Sequence, residues 1–439
     1  MEYVSTLRGR RALLRGGLGL VAGIGGLTAF AAGVSFLLYR HPPSSLVVLG
    51  FAIVLLGALV LAIAAYDLAI AIGVILLAAV RFEPAPTDVV FAVLIAVGLV
   101  TSRFHLRRAL PAAVLLVGTF LAFNLLSAVD ASDGRRAASF LGITIYVAAF
   151  GVWLASYVTS RPIAQRVARA YVSVAVVSAV VSTLALVVSF PGHDLFTRIG
   201  RAEGLFKDPN VFGPFLVPAA LIVIEEIVSP RLLPGRRVTK LLAFLALTLG
   251  VVFSYSRAAW LNLVVGLVVV LLILGCRRGG GRRAARALAV VVVAIVAAGA
   301  AIAFTGSLSF LEERAQVQSY DTSRFGAQSE SLAWAVRYPF GIGPGQFEKY
   351  AGIAAHSLYA RSLAEEGIPG FLAILALMLA TLCWAARNAV LGRDTYGIGS
   401  ATLLGAWCGL LVNGIFVDSL HWRHLWAVAA LIWAGASRR

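Results

Sequence analysis

Between Arg324 and Gly370 the chain runs RFGAQSESLAWAVRYPFGIGPGQFEKYAGIAAHSLYARSLAEEGIPG, the longest polar passage in an otherwise apolar sequence. It holds one histidine, His356, with Arg324 at its head, a Gly–Pro turn cluster from Gly341 to Gly345, and the adjacent carboxylates Glu365 and Glu366. A neutral imidazole near pH 7 can take a proton from an attacking sugar hydroxyl. Guanidinium forks bind phosphate oxygens in pairs, and shielding from salt strengthens the contact. Further cations precede the passage: Arg198, Arg201 and Lys207 in PGHDLFTRIGRAEGLFKDPN, and Arg257 in YSRAAW. Such cations also stabilise charge developing on a departing diphosphate. Together these parts suffice for a group transfer that calls for no metal and no cofactor.

Other chemistries lack their residues. None of the three lysines (Lys207, Lys240, Lys349) is followed by Ser or Thr, so there is no Walker A loop, and HExxH and GxSxG are absent. The GIGPGQ run lacks the GxGxxG spacing and reads as turns. Cys276, Cys383 and Cys408 are far apart and suggest neither a disulfide framework nor a zinc site. Ionisable residues inside the apolar runs are scarce apart from Glu225 and Glu226, which weakens an ion-coupled transporter without removing it.

Each candidate also has an ordinary role open to it. Arg257 could snorkel to headgroups. Arg198 and Arg201 could pair with Asp194 or Glu203, Arg324 could sit solvated beside Glu330, and Lys207 could be a surface lysine. Tyr359 and Trp334 suit packing more than sugar binding, and His193, His421 and His424 read as interfacial. What sets the cations and His356 apart is that they share one side of a membrane.

That side follows from the scaffold. The 439 residues are 60% hydrophobic and 13% charged, with mean hydropathy +0.91, against roughly a quarter charged for a soluble domain. Apolar runs long enough to cross a bilayer recur, so the chain is expected to be an all-α, polytopic membrane protein of about 12–14 helices. The segments fall near 16–39, 45–65, 67–81, 87–102, 109–128, 137–158, 166–190, 210–229, 238–255, 258–275, 285–304, 368–387, 398–417 and 420–436, the third and fourth being short. The first is read as a retained helix, because more membrane follows it. Residues 1–304 would form a bundle with outer loops near 191–210 and 255–258, 305–367 the large loop, and 368–439 the last helices. Within that loop Ser323 would N-cap a helix reaching Arg337, and a second would run from about His356 to Glu366, stopped by Gly367 and Pro369.

Counting alternate connections, one side carries about 23 of the 37 Lys and Arg and about 5 of the 20 Asp and Glu, which makes it cytoplasmic. Both termini then lie inside, and the long polar loops lie outside. The formal charge of +17 is thus a topology signal, and nucleic acid is not expected as a partner.

HSLYARSLAEEGIPG fits the pattern H-[N/S/Q]-x9-G-x-x-G with His356, Ser357, Gly367 and Gly370, and so resembles the O-antigen ligase and polymerase superfamily. RYPFGIGPGQF resembles that family's lead-in to the histidine, RAEGLFKDPNVFG its earlier arginine loop, and YSRAAWL its Ser-Arg helix start. The similarity covers about residues 190 to 390. No clear pair of R-x10-G motifs is present, and Ser357 stands where ligases often have Asn.

The resemblance implies a fold of the C-type glycosyltransferase kind in the bacterial inner membrane, with a periplasmic site. It implies transfer of a glycan from undecaprenyl diphosphate, without metal and with inversion, among membrane lipids. His356 would be the base, and Arg201 and Arg257 would hold the diphosphate with Arg324 as a further candidate. Arg198, Lys207, Ser357 and Tyr359 would be possible support. The acceptor would be lipid A core for a ligase, slightly favoured by the histidine motif, or another lipid-linked glycan for a polymerase. A non-catalytic glycolipid transporter or flippase is the remaining alternative.

Overall fold

The computed structural model describes residues 45–81, 85–277, 279–316 and 319–437. The expected first segment, 16–39, lies outside the described residues. The chain is an all-α polytopic membrane protein. Before the large loop come α1 (Ser45–Ala64), α2 (Tyr66–Leu76), α3 (Pro86–Val100), α4 (Pro111–Ser127), α5 (Gly134–Tyr157), α6 (Arg161–Leu184), α7 (Pro209–Val228), α8 (Arg237–Phe253), α9 (Arg257–Cys276) and α10 (Gly281–Thr305). The loop holds α11 (Leu308–Ala315), α12 (Ser319–Arg337), α13 (Phe347–Ala351) and α14 (Leu358–Glu365), and the chain ends in α15 (Gly367–Val390), α16 (Ser400–Phe416) and α17 (Arg423–Ala436). A two-residue hairpin, β1 (Thr197–Arg198) with β2 (Arg201–Ala202), is the only sheet among the described residues.

Seven of the described helices are long and apolar enough to span a bilayer. Thirteen of the expected segments correspond to helices, and the two called short are short: α2 has 11 residues and α3 has 15. At 1.5 Å per residue α2 reaches only about 16 Å, too little to cross. α7 lies at the centre, with nearly its whole length buried by neighbouring helices. The close packing at its sides depends on missing side chains. A Cβ on Gly250 would meet Leu216 at 2.6 Å, and one on Gly266 would meet Leu221 at 2.7 Å.

The long-range bonds between loops respect the alternation read from the charges. On one face Arg423 is bidentate to Asp88 (3.0 and 2.6 Å), Arg81 donates to the Leu195 carbonyl (2.8 Å), Arg136 pairs with Glu348, and Arg257 pairs with Asp321. On the opposite face Arg161 donates to the Arg231 carbonyl (2.8 Å), Arg169 to the Leu232 carbonyl (2.9 Å), Arg231 pairs with Asp394, and Arg277 donates to Ser400 Oγ (2.8 Å). All the candidate site residues belong to the first face, called here the loop face.

Glu225 and Glu226 terminate α7 at the other face, and both are built into the scaffold. Glu226 accepts from the backbone N–H groups of Arg231, Leu232 and Leu233 and pairs with buried Lys240 at 3.0 Å. Glu225 accepts from Thr402 N and Oγ1 and faces the guanidiniums of Arg231 (3.4 Å) and Arg277 (3.9 Å).

These partners rank two substitutions. Glu226→Ala strands a buried ammonium and three N–H donors, so it should destabilise the protein by about 3–5 kcal/mol. Lys240→Met leaves the carboxylate its N–H partners and should cost clearly less. Thermal unfolding in detergent checks the order, and equal losses would contradict it.

Candidate active site

Two of the four loop helices, α12 and α14, are laid against each other. α12 begins four residues before the expected cap, at Ser319, so Ser323 lies inside the helix. The amphipathic spacing explains this: Asp321, Ala327, Ser331 and Ala335 form one buried face, and that face needs the extra turn. α14 begins at Leu358, because the side chain of Ser357 caps it by accepting from Ala360 N at 3.3 Å. Ser357 Oγ also lies 3.3 Å from the Gly414 carbonyl, and Tyr359 Oη donates to the Leu411 carbonyl at 2.9 Å. Both residues therefore fasten α14 to α16. Burial pushes the Tyr359 phenol up to about 12, so it stays protonated.

His356 immediately precedes this cap, half-buried and with φ at +48°. That left-handed backbone costs a non-glycine residue about 1–3 kcal/mol unless its surroundings enforce it. Gln328 of α12 does so, its Nε2 donating to the carbonyls of His356 (3.1 Å) and Ala355 (3.3 Å). Burial holds the imidazole pKa below its ordinary value, and the Arg324 guanidinium adds to the effect. Arg361 acts in the same direction, while Asp208 and Asp418 oppose. The ring is therefore neutral at pH 7 and able to accept a proton.

One turn of α12 carries Arg324, and one turn earlier Asp321 accepts from the single nitrogen Nη2 of Arg257 with both oxygens, each at 2.7 Å. Arg257 also donates to the Gln316 carbonyl at 3.0 Å. Its position is fixed by Ser256, which caps α9 and leaves Arg257 as the first helical residue. Arg201, on β2, donates through Nε to the Ser254 carbonyl (2.8 Å) and through Nη2 to Asn210 Oδ1 (3.1 Å), joining the hairpin to the turn before α9. Asp208, two residues before Asn210, is the group felt by His356. Arg324 therefore acts on His356, Arg257 is tied to the same helix through Asp321, and Arg201 is tied to the turn before α9 through Ser254.

Arg198 sits opposite Arg201 in the hairpin register, and Lys207 follows in the same loop. Both are exposed, and Arg198 donates to the Lys207 carbonyl at 2.8 Å. Glu203 is buried beside them, and burial raises its pKa against the pull of Arg81, Arg198 and Arg201. Among the described residues no cluster of His, Cys, Asp and Glu could hold a metal ion.

The Gly–Pro cluster is a turn, and its partner is inside the protein. Gly345 N and Phe347 N donate to the Glu365 carboxylate at 2.7 and 3.0 Å. Gly341 has φ +95°, and a Cβ there would meet the Glu365 carbonyl at 2.2 Å. Glu365 also faces Arg361 at 3.6 Å, and Glu366 accepts from Asn124 of α4 at 2.9 Å. Burial raises both carboxyl pKa values, that of Glu366 the more because Glu365 lies beside it. Gln328, Asp321 and Arg361 were not singled out from sequence, and Glu365 was noted only as half of a carboxylate pair. Only the Arg361–Glu365 spacing of i, i+4 on a helix offered a signal.

Residues 242–375 match the family model described as O-Antigen ligase. No curated protein matches the chain. The matched span contains Arg257, Arg324, His356 and both loop helices, and members of that family are enzymes of the glycosyltransferase type. Residues 242–375 thus carry a domain of the O-antigen ligase family, which supports a place for the chain in the O-antigen ligase and polymerase superfamily.

Proposed function

We propose that this protein is a metal-independent, inverting glycosyltransferase that moves a glycan from undecaprenyl diphosphate to an acceptor hydroxyl at the periplasmic face of the bacterial inner membrane. The observation that carries the reading is the inner face of α12. Asp321, Arg324 and Gln328 follow one another along it; the first addresses Arg257, and the other two address His356. One rigid element therefore sets the imidazole and the cations in register.

In the reaction the acceptor oxygen attacks the anomeric carbon from the face opposite the diphosphate. The new C–O bond forms as the sugar–phosphate C–O bond breaks, and the electron pair leaves on the lipid diphosphate. His356 takes the acceptor proton, while Arg201, Arg257 and Arg324 stabilise the charge on the leaving group. Asp321 holds Nη2 of Arg257, so a phosphate would compete with that carboxylate for this nitrogen. The acceptor is taken to be lipid A core, which makes the chain a ligase. A polymerase would use the same donor site with a lipid-linked glycan as acceptor, so supplying each acceptor in turn to the purified protein separates the two.

His356→Ala should lower turnover of a lipid-linked oligosaccharide by about a hundredfold or more, as loss of a general base does. Arg201→Ala and Arg257→Ala should each cost one to several orders of magnitude in kcat/KM, about 2–5 kcal/mol, with Lys restoring only part. The activity should survive EDTA. A wild-type protein that translocates the lipid but forms no glycosidic product with any acceptor would point to a transporter instead.

The pH profile follows from the depressed imidazole pKa. The base works in its neutral form, so kcat/KM should be flat near pH 7 and fall as pH drops through a value below about 6.5. Arg324→Gln removes a charge that depresses this pKa, so the acid limb should move to higher pH. A limb that stays in place would mean that Arg324 does not face the base.

Gln328→Leu keeps the bulk but removes the donor to both carbonyls. It should reduce kcat on the order of tenfold with KM little changed, because the base is misplaced and the donor site is intact. Equal effects on both constants would assign Gln328 to substrate binding.

A further inference from the structure

We infer that α12 lies in the surface of the bilayer, with a narrow apolar stripe seated among the lipids of the leaflet on the loop face. This goes beyond the proposed reaction and stands whether or not the chain transfers a glycan. The helix has 19 residues, about 28 Å at 1.5 Å per residue. Both of its ends are held at the level where membrane spans begin. Near its start Asp321 grips Arg257, the first residue of the span α9. Just past its end the Pro339 carbonyl accepts from Ile368 N at 2.9 Å, at the second residue of the span α15. A helix fixed at both ends to the mouths of two spans on one face runs along the membrane and not away from it.

Its circumference is divided three ways. The face toward the protein carries Asp321, Gln328, Ser331 and Ala335. A second face, at spacings of i, i+7 and i+11, carries Phe325, Leu332 and Val336, which are 54%, 65% and 73% exposed. A third edge carries exposed Glu330 and Arg337. Division into protein, apolar and charged faces is what an interfacial helix presents. The stripe also runs on into surface that lipid covers. Phe340, 55% exposed, follows it, and Ile368 and Leu372 of the span α15 are exposed next to the Pro339 junction. Three large apolar side chains in water along a loop helix would otherwise be an uncompensated hydrophobic cost. Lipid is therefore the occupant that the observations favour over a soluble partner.

The test uses the full chain, with Cys276, Cys383 and Cys408 changed to Ser, in vesicles of phosphatidylethanolamine and phosphatidylglycerol. A nitroxide is attached through Leu332→Cys, Glu330→Cys or, as a span reference, Leu372→Cys. Collision with oxygen, which partitions into lipid, is compared with collision with a water-soluble nickel chelate. The oxygen-to-nickel ratio at 332 should be several-fold above that at 330 and close to that at 372. A label at 332 that meets nickel as freely as the label at 330 would overturn the inference. Shielding at 332 from both reagents would overturn it too, since that reports a covering protein surface.

Discussion

One buried guanidinium organises the loop face. Arg361 sits in α14 among three carboxylates, paired with Glu348, 2.9 Å from Asp418 and 3.6 Å from Glu365, with its plane over the Phe140 ring. A buried arginine holds its place only if opposing charges surround it, and breaking such a set by removing one member typically costs about 3–5 kcal/mol. The arrangement reaches far beyond α14. Asp418 belongs to the turn between α16 and α17. Glu348 also pairs with Arg136 of α5, and Glu365 collects the N–H groups of the Gly–Pro turn. Gln346 in that turn then bonds to Ser132 and Asp133 before α5. Five residues before Arg361 in the chain stands His356, so the imidazole inherits a position fixed from several separate parts of the bundle.

The second constraint is local. His356 occupies a backbone region that disfavours any side chain, and Gln328 keeps it there by bonding the two carbonyls on either side of the bend. Strain retained at one residue and enforced from a neighbouring helix is a way to set the direction of a side chain without touching the side chain itself. It leaves the ring nitrogens free of that duty. The charge surroundings do the rest, since Arg324 and burial favour the neutral ring more than Asp208 and Asp418 favour the charged one.

Helix content and alternation were legible because both rest on one-dimensional signals: apolar run length and the distribution of arginine. The loop was legible in part. Pro339 and the glycines mark its turns, and a lone histidine in a polar passage attracts notice. Its bonding was not legible, because Asp321–Arg257 spans 64 positions and Arg361–Asp418 spans 57, and no local pattern announces such pairs. The start of α12 was misplaced for a related reason. Ser323 has the chemistry of a cap, but burial of Asp321 against Arg257 extends the helix beyond it. Ser357, grouped with the site through its place in the histidine motif, and Tyr359 both bond α14 to α16. Closeness in sequence to a reactive residue says little about which way a helix turns each neighbour.

The Arg257–Asp321 pair gives the site a state of its own in the absence of substrate. A guanidinium left unpaired at the edge of a bilayer would be poorly solvated on its apolar side and would attract any anionic headgroup. With both Asp321 oxygens on Nη2, a passing monoanionic lipid offers that nitrogen no more than the carboxylate already does. On the proposed reading a diphosphate would bring more charge and engage Arg201 and Arg324 as well, so it would displace Asp321 where a single phosphate would not. On the proposed reading, selectivity for a lipid diphosphate over the bulk phospholipids around it then follows from competition with a built-in carboxylate. The same displacement would loosen α12 at the end nearest α9, while its other end stays fixed at Ile368, so a change in the charge at Arg257 would be felt along the helix that holds His356.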